Sequence, residues 1–462
     1  KETVKQAKKE AWSEYQKPIK DELNQLLNIF KSIKSKFSID EIDEWSKDLN
    51  QSAMFGLFRR DYMTKARLLL TKLNKVSGPE KESLIQFIDK INKENSNRYN
   101  TFLYNLTSSS ARNVKEVKPI YSDNAELVDG RIILRDNFHQ MFEDIPEAMI
   151  FGEDVGKIGG VNQGVEGMQD KFGEERVADT GIRETTILGQ GIGLSLRGLR
   201  PIAEIQYLDY LLYAFQTMAD DLASLHYRTY GGQISPVIIR TRGHRLEGIW
   251  HSGSPMGMII NGTRGVNICV PRDMTRAAGF YNTLMISDEP AMVIECLNGY
   301  RTKEKMPSNI GEFRTPLGVI EVTKTGNDIT LVSYGSTWRI VDDAANELEK
   351  LGISCEVIDI QSIVPFDLNC EIVESVKKTN RLLVVDEDVP GGASAYILQK
   401  IIEDQKAYEY LDSSPSTLTA KAHRPPYGKD GDYFTKPSVN DVIEKVYSIL
   451  NEADPKKFPQ LF

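Results

Sequence analysis

The sequence predicts an α/β protein, with a helical N-terminal region followed by two α/β domains. Three observations predict it. From Ile132 onward, short β-branched or apolar strands alternate with helical patterns, as in βα units that feed a parallel sheet. Before about Asn113 the apolar residues recur only at helical spacing. Between two sets of βα units lies "NGYRTKEKMPSNIGEFRTPLG", whose glycines, prolines and charges mark a linker. A chain of 462 residues exceeds one ordinary core, in keeping with several domains. The expected divisions are a helical region over 1–113, an α/β domain over 120–305, a linker over 306–325 and a second α/β domain over 326–455.

Each element follows from local pattern. The N-terminal region is polar, Lys-rich and nearly free of proline, and runs such as "LNQLLNIFKSI" predict three or four helices. Ser38-Ile39-Asp40-Glu41 reads as a capping box that opens a helix, and Ser77-Gly78-Pro79-Glu80 repeats the device. Tyr99, Phe102 and Tyr104 read as packing residues, and "NLTSSSARNVKEVKP" as a loop. The strands of the first α/β domain are "AMIFGED", "RPIAEIQ", "PVIIRTR", "VNICVP" and "AMVIEC". In the second domain come "DITLVSYGS", the helix "TWRIVDDAANELEKLG", then "SCEVIDIQ", "RLLVVDED" and the helix "SAYILQKIIED". The glycines of "SYGST" and "VDEDVPGGAS" follow strands, where ligands and partners approach open parallel sheets; tight turns are the plainer reading.

Composition narrows the function. Hydrophobic residues make up 40% and charged residues 27%, a globular balance, and the formal charge is −9. An acidic chain lacks the electrostatic footprint for nucleic acid, whose phosphates dominate binding. No apolar run approaches the ~20 residues that span a bilayer, so no membrane partner is expected. Four scattered cysteines (Cys269, Cys296, Cys355, Cys370) form no CxxC pair, which predicts buried free thiols and a reducing, cytoplasmic compartment. The chain opens on Lys1, which suggests a processed chain or one cut from something longer.

The chemistry concentrates in the first α/β domain. A strand ends at "VADTG", and Glu184 then heads a Gly-rich helix. "GQGIGLSLRG" keeps small residues on one helix face, which permits close approach of a partner helix or ligand. Taken alone, Glu184 is as readily a macrodipole stabiliser, and Tyr210 a core residue. Of the five histidines, His251 stands in a Gly/Ser/Pro loop after "PVIIRTR", the kind of place where site residues concentrate, with His244 as its competitor. Arg240, Arg242 and Arg245 crowd the same stretch, as partners for an anionic substrate or incoming domain, or as solvated surface charge.

Linked motifs then carry a family resemblance. "FHQMFEDIPEAMIFGEDVG", "GVEGMQDKFGEERVADTGIRETTILGQGIGLSLRGLRPIAEIQYLDY", "GIWHSGSPMG", "VNICVPRD", "PAMVIE", "VSYGSTWRIVDDAANELEKLGISCEVIDIQSIVPFD" and "KTNRLLVVDEDVPGG" resemble, in this order, the beta subunit of 2-oxoacid dehydrogenase E1 enzymes. The likeness covers about 130–450. It implies a thiamine-diphosphate-binding pyrimidine-type domain followed by a transketolase-C-terminal-like domain. It also implies oxidative decarboxylation of a 2-oxoacid and acylation of the lipoyl group of an E2 acyltransferase. Glu184 matches the family's glutamate, which hydrogen-bonds the cofactor ring nitrogen opposite the amino group and should be buried. Tyr210 matches the aromatic that packs on the aminopyrimidine, and Gln206 and Ile182 match residues lining the same pocket. His251 matches a histidine that orients substrate and donates a proton during acyl transfer.

The resemblance also sets expectations about partners. The family's diphosphate and Mg²⁺ ligands, a Gly-Asp-Gly motif followed by an Asn, belong to the alpha half and are absent here; "YGKDGDYF" near Asp430 lies in a late loop instead. The cofactor is therefore shared with an alpha-type E1 module that binds Mg²⁺, in an α2β2-type assembly or its fused equivalent, with no metal ligand on this chain. "KETVKQAKKEAWSEY" faintly resembles the last helix of an alpha subunit, which suggests a fused alpha–beta chain; a beta subunit with its own helical extension is the alternative. Ser287 and Glu289 stand where some relatives bind a monovalent cation through Asp and Asn, so that site does not carry over. "AEIQYLDY" and "WHSGSP" look closer to the branched-chain type, such as 3-methyl-2-oxobutanoate, with pyruvate as the alternative and a non-catalytic scaffold subunit as a further one.

Overall fold

Apolar stripes at helical spacing build the first hundred residues. The structure, a computed structural model, describes residues 1–243, 255–424, 426 and 428–460. Four helices, α1 (Glu2–Lys36), α2 (Glu41–Phe55), α3 (Arg59–Lys72) and α4 (Pro79–Asn100), form one unit, Lys1–Thr101. Their stripes meet in a core that includes Leu23, Leu26, Phe30, Trp45, Tyr62, Leu69, Phe87 and Ile91. Each such side chain stabilises by about 1.5–3 kcal/mol on burial. Glu22 is buried in this unit but paired: Arg59 donates to it through Nε (2.8 Å) and Nη2 (3.0 Å), and Tyr62 donates its hydroxyl. The chain before Gln16 is exposed throughout.

The two expected capping boxes do not form. α2 begins after Asp40 and α4 after Gly78, neither with a side-chain cap. Pro79 opens α4 instead, because its fixed φ suits the first helical position and its missing N–H costs nothing there. A box does form at Ser438, whose hydroxyl accepts from Asp441 N while Asp441 accepts from Ser438 N.

The second unit, Phe102–Phe462, holds two sheets. Its first half runs β1 (Leu127–Asp129), α5 (Gly130–Asp144), β2 (Ala148–Gly152), α6 (Met168–Phe172), β3 (Val177–Asp179), α7 (Glu184–Ser195), β4 (Arg200–Glu204), α8 (Leu225–Arg228), β5 (Ile238–Arg242), α9 (Met256–Gly262), β6 (Asn267–Cys269), α10 (Met274–Met285), β7 (Ala291–Glu295) and β8 (Lys303–Lys305). Its second half runs β9 (Glu321–Lys324), β10 (Ile329–Ser333), α11 (Thr337–Lys350), β11 (Cys355–Asp359), β12 (Ser362–Val364), α12 (Glu371–Thr379), β13 (Leu382–Val385), α13 (Ala393–Gln399), β14 (Ser416–Leu418), α14 (Lys429–Thr435) and α15 (Val439–Ala453). The sheet orders are β12-β6-β7-β5-β4-β2-β3 and β14-β13-β10-β11-β9; β1 pairs with β8 alone.

All neighbours in the larger sheet are parallel except β12, which runs antiparallel to β6 with Ser362 opposite Cys269. β12 thus leaves the second half of the chain to complete the first half's sheet. An ion cluster ties the same two halves: Arg272 donates to Glu321 and Asp359, and Arg276 donates to Glu321. Arg272 also lies over the Trp338 ring, 4.6 Å from its centroid.

Other expectations meet mixed outcomes. Phe102 packs on Tyr230, centroids 4.3 Å apart, and Tyr104 lies beneath Arg112, but Tyr99 is exposed. Cys269, Cys296 and Cys355 are buried free thiols, whereas Cys370, in a left-handed conformation just before α12, is exposed. No described helix is long and apolar enough to cross a membrane.

Candidate functional site

The strands β2 and β4 lie side by side, in register from Ala148 opposite Arg200 to Phe151 opposite Ala203. Parallel pairing brings the chain that leaves each strand to the same edge of the sheet. Glu153 and Asp154 follow β2, and Gln206 to Tyr210 follow β4. α7 packs on β4 and on the 3₁₀ turn Leu208–Ala214, so Glu184, the first residue of α7, reaches the same edge. This edge is the carboxyl end of parallel strands, where such folds bind ligands.

Glu184 is buried, and among the described residues no hydrogen bond or ion pair engages its carboxylate. Tyr210 is half-buried and touches the core that contains Ile187 and Leu188 of α7. Burial pushes the Tyr210 phenol up from its ordinary range, as do the neighbouring Tyr207, Asp209, Glu153 and Glu184. Tyr207 meets the Tyr210 ring edge-on at 5.8 Å. Gln206 points its amide to Asp154, Nε2 donating at 3.1 Å. Ile182 is 68% exposed, and Leu212 and Tyr213 are exposed as well.

Glu184, Gln206 and Tyr210 thus come together at one edge. Ile182, just before α7, stands open to solvent in this chain. His251, His244 and Arg245 lie outside the described residues.

Two groups were missed in the sequence. Glu153 is a second carboxyl beside Glu184; burial, Glu184, Asp154 and Glu204 all raise its pKa. Its signal was present in "GEDVG", where it reads as an ordinary strand-end acid. The second is a buried ionic cluster, which corrects the reading of Arg240 and Arg242 as contacts for an anionic substrate or as surface charge. Both are wholly buried on β5. Arg240 donates to Glu204 (2.6 Å) and Glu295 (2.9 Å), and Arg242 pairs with Glu204 (2.9 Å). Buried charges persist when they are paired, and these form ion pairs throughout, most of them hydrogen-bonded.

The Gly-rich helix face is also corrected in part. Gly191 faces the sheet, where an added Cβ would lie 3.2 Å from Val237 and 3.4 Å from Ala203. Gly189 and Gly193 face open space instead. Glu289 is buried and accepts from Asn105 N, Ser110 Oγ and Ala111 N, which pins the loop before Asn113.

Comparison with known proteins assigns this arrangement. Residues 128–302 match the transketolase pyrimidine binding domain family and residues 318–441 the transketolase C-terminal domain family. Neither match reaches the helical unit. The chain is 34% identical over 310 residues to the pyruvate dehydrogenase E1 component subunit beta of Staphylococcus epidermidis, covering 66% of this chain and 93% of that one. The Staphylococcus aureus subunit of the same name is 33% identical over the same spans. Among solved structures, a split gene transketolase described as an inactive beta4 tetramer aligns with TM-score 0.56 at 19% identity, over 71% of this chain and 99% of that one. A transketolase from Campylobacter jejuni aligns with TM-score 0.51 at 15% identity, over 80% and 54%; both likenesses concern the fold alone. With the relatives matched over nearly their whole length, the chain belongs to the E1 beta-subunit family of the thiamine-diphosphate-dependent 2-oxoacid dehydrogenases.

Proposed function

We propose that this chain supplies the aminopyrimidine side of a thiamine-diphosphate site completed by an alpha-type module. In this reading the assembly decarboxylates a 2-oxoacid and passes the acyl group to a lipoyl group of an E2 acyltransferase. The observation that carries the reading is Glu184, a mostly buried residue at the head of α7 with Tyr210 beside it and no hydrogen bond or ion pair to a described residue. Glu184 lies at the carboxyl end of parallel strands, where such folds bind ligands, so its carboxyl is placed to meet a polar group there.

The residues present suit the group's aminopyrimidine end. Glu184 would hold a shared proton at the ring nitrogen opposite the amino group, and Tyr210 would pack on the ring face. Gln206 and Ile182 would line the pocket. When bound, thiamine diphosphate supplies a nucleophilic carbon and an electron sink for the electrons left by CO2. Glu153 adds a weakly acidic carboxyl next to that proton. His251 is the proposed proton donor in acyl transfer. The diphosphate and Mg²⁺ fall to the alpha-type module, and the exposed Ile182, Leu212 and Tyr213 fit a face that such a module covers, in an α2β2-type or fused assembly.

For the substrate we favour pyruvate, which the similar Staphylococcus subunits carry in their names. A branched-chain acid is the second reading, favoured by "AEIQYLDY" and "WHSGSP". Dye reduction by the full assembly with thiamine diphosphate and Mg²⁺ separates them. Turnover of pyruvate well above 3-methyl-2-oxobutanoate is expected. The reverse order gives the branched acid, and no turnover of either leaves a scaffold subunit.

A further inference from the structure

We infer that Arg242 is a positioning residue for the cofactor-facing segment Ile205–Tyr210, an inference that rests on the function proposed above. Two nitrogens of its buried guanidinium donate hydrogen bonds and the third forms an ion pair without one. Nη1 donates to the Gln206 backbone carbonyl (3.0 Å), Nε to the Tyr300 hydroxyl (3.0 Å), and Nη2 pairs with Glu204 (2.9 Å). Gln206 and Tyr210 belong to the segment so held, and Gln206 is the first residue beyond the β4–β5 ladder, where Ile205 N still donates to Arg240 O (2.9 Å). Arg242 therefore takes over where strand pairing stops.

The anchor is itself fixed. Tyr300 donates its hydroxyl to Glu295, Tyr281 donates to the same carboxylate (2.7 Å), and Arg240 bridges Glu295 and Glu204. From above, the glycine-rich loop after β2 lies directly on the two guanidiniums. A Cβ on Gly164 would come within 2.6 Å of Arg240 Nη2, and one on Gly160 within 3.2 Å of Arg242 Nη2. The planar fork reaches the carbonyl, the hydroxyl and the carboxylate from three separate nitrogens, whereas a lysine offers its three donors from one point on a flexible stem. The cluster reaches none of the reacting atoms. It acts through the backbone that carries Gln206 and Tyr210.

The test uses the assembled protein with Arg242→Lys, which keeps the charge and loses the fork. Two readouts are needed. Amide hydrogen exchange over residues 205–210 should accelerate at least about tenfold, with the helical unit unchanged as an internal reference. The Kd for thiamine diphosphate should rise by about tenfold or more, and kcat should fall with little change in substrate KM. If the lysine variant does not fold, Tyr300→Phe removes one bond of the fork without stranding a charge, and the same changes are expected at smaller size. A folded variant with unchanged exchange at 205–210 overturns the inference. Wild-type protein that binds no thiamine diphosphate overturns the proposed function instead, and the exchange result still judges the anchor.

Discussion

Glu321 gives the clearest single-residue electrostatics in the molecule. Burial alone would raise its pKa, but Arg272 and Arg276 outweigh burial and hold the carboxyl down at about 2. Because the folded value lies below the ordinary one, the group adds stability above the ordinary glutamate range, and that stability is lost as pH falls toward about 2. Glu321→Gln should therefore lower the melting temperature at pH 7, with the gap to wild type shrinking as pH falls below about 4.5. Melting curves across that range check it; a gap that stays constant contradicts it. At this scale the sequence was legible where a motif fixed the surroundings. Glu184, Gln206 and Tyr210 fell together because they ride on linked segments of one pattern. Arg240 and Arg242 were misread because their partners are distant in sequence, Glu204 and Glu295 lying 36 and 55 residues from Arg240, and no local pattern records such pairing.

The helix α7 is the element on which the site depends. Its glycines divide by face: Gly191 lets the helix settle against β4, while Gly189 and Gly193 look outward. Gly191→Val should destabilise the chain by about 1–3 kcal/mol, since extra methyls meet Val237 and Ala203. Gly189→Ala should stabilise it by about 0.4–1 kcal/mol, as alanine restricts the unfolded chain and meets nothing in the fold. Chemical denaturation of both variants checks the pair of signs, and equal effects would contradict the division. Helices and strands were otherwise readable from periodicity, as with α11, found at Thr337–Lys350 in the stretch predicted for it. β12 was not readable. "SIV" continues the pattern of the strand before it, and period alone identifies a strand without naming its sheet.

At the scale of the whole chain, the second unit is one body made of two sheets, because β12 and the Arg272–Asp359–Glu321 cluster cross between them. The linker reading of "NGYRTKEKMPSNIGEFRTPLG" did not foresee these crossings, which depend on residues some 40–90 positions apart. The helical unit stands on its own core, and its stripes were visible from spacing alone. In the proposed function the edge around Glu184 is half of a composite site, so the account turns on what Glu184 does once the site is complete. The most direct measurement is the rate at which the C2 proton of bound thiamine diphosphate exchanges with deuterium, in the full assembly and in its Glu184→Gln variant. The account predicts a loss of about 10²–10⁴-fold in the variant, with folding and assembly intact. An exchange rate equal to wild type, with cofactor bound, would contradict it.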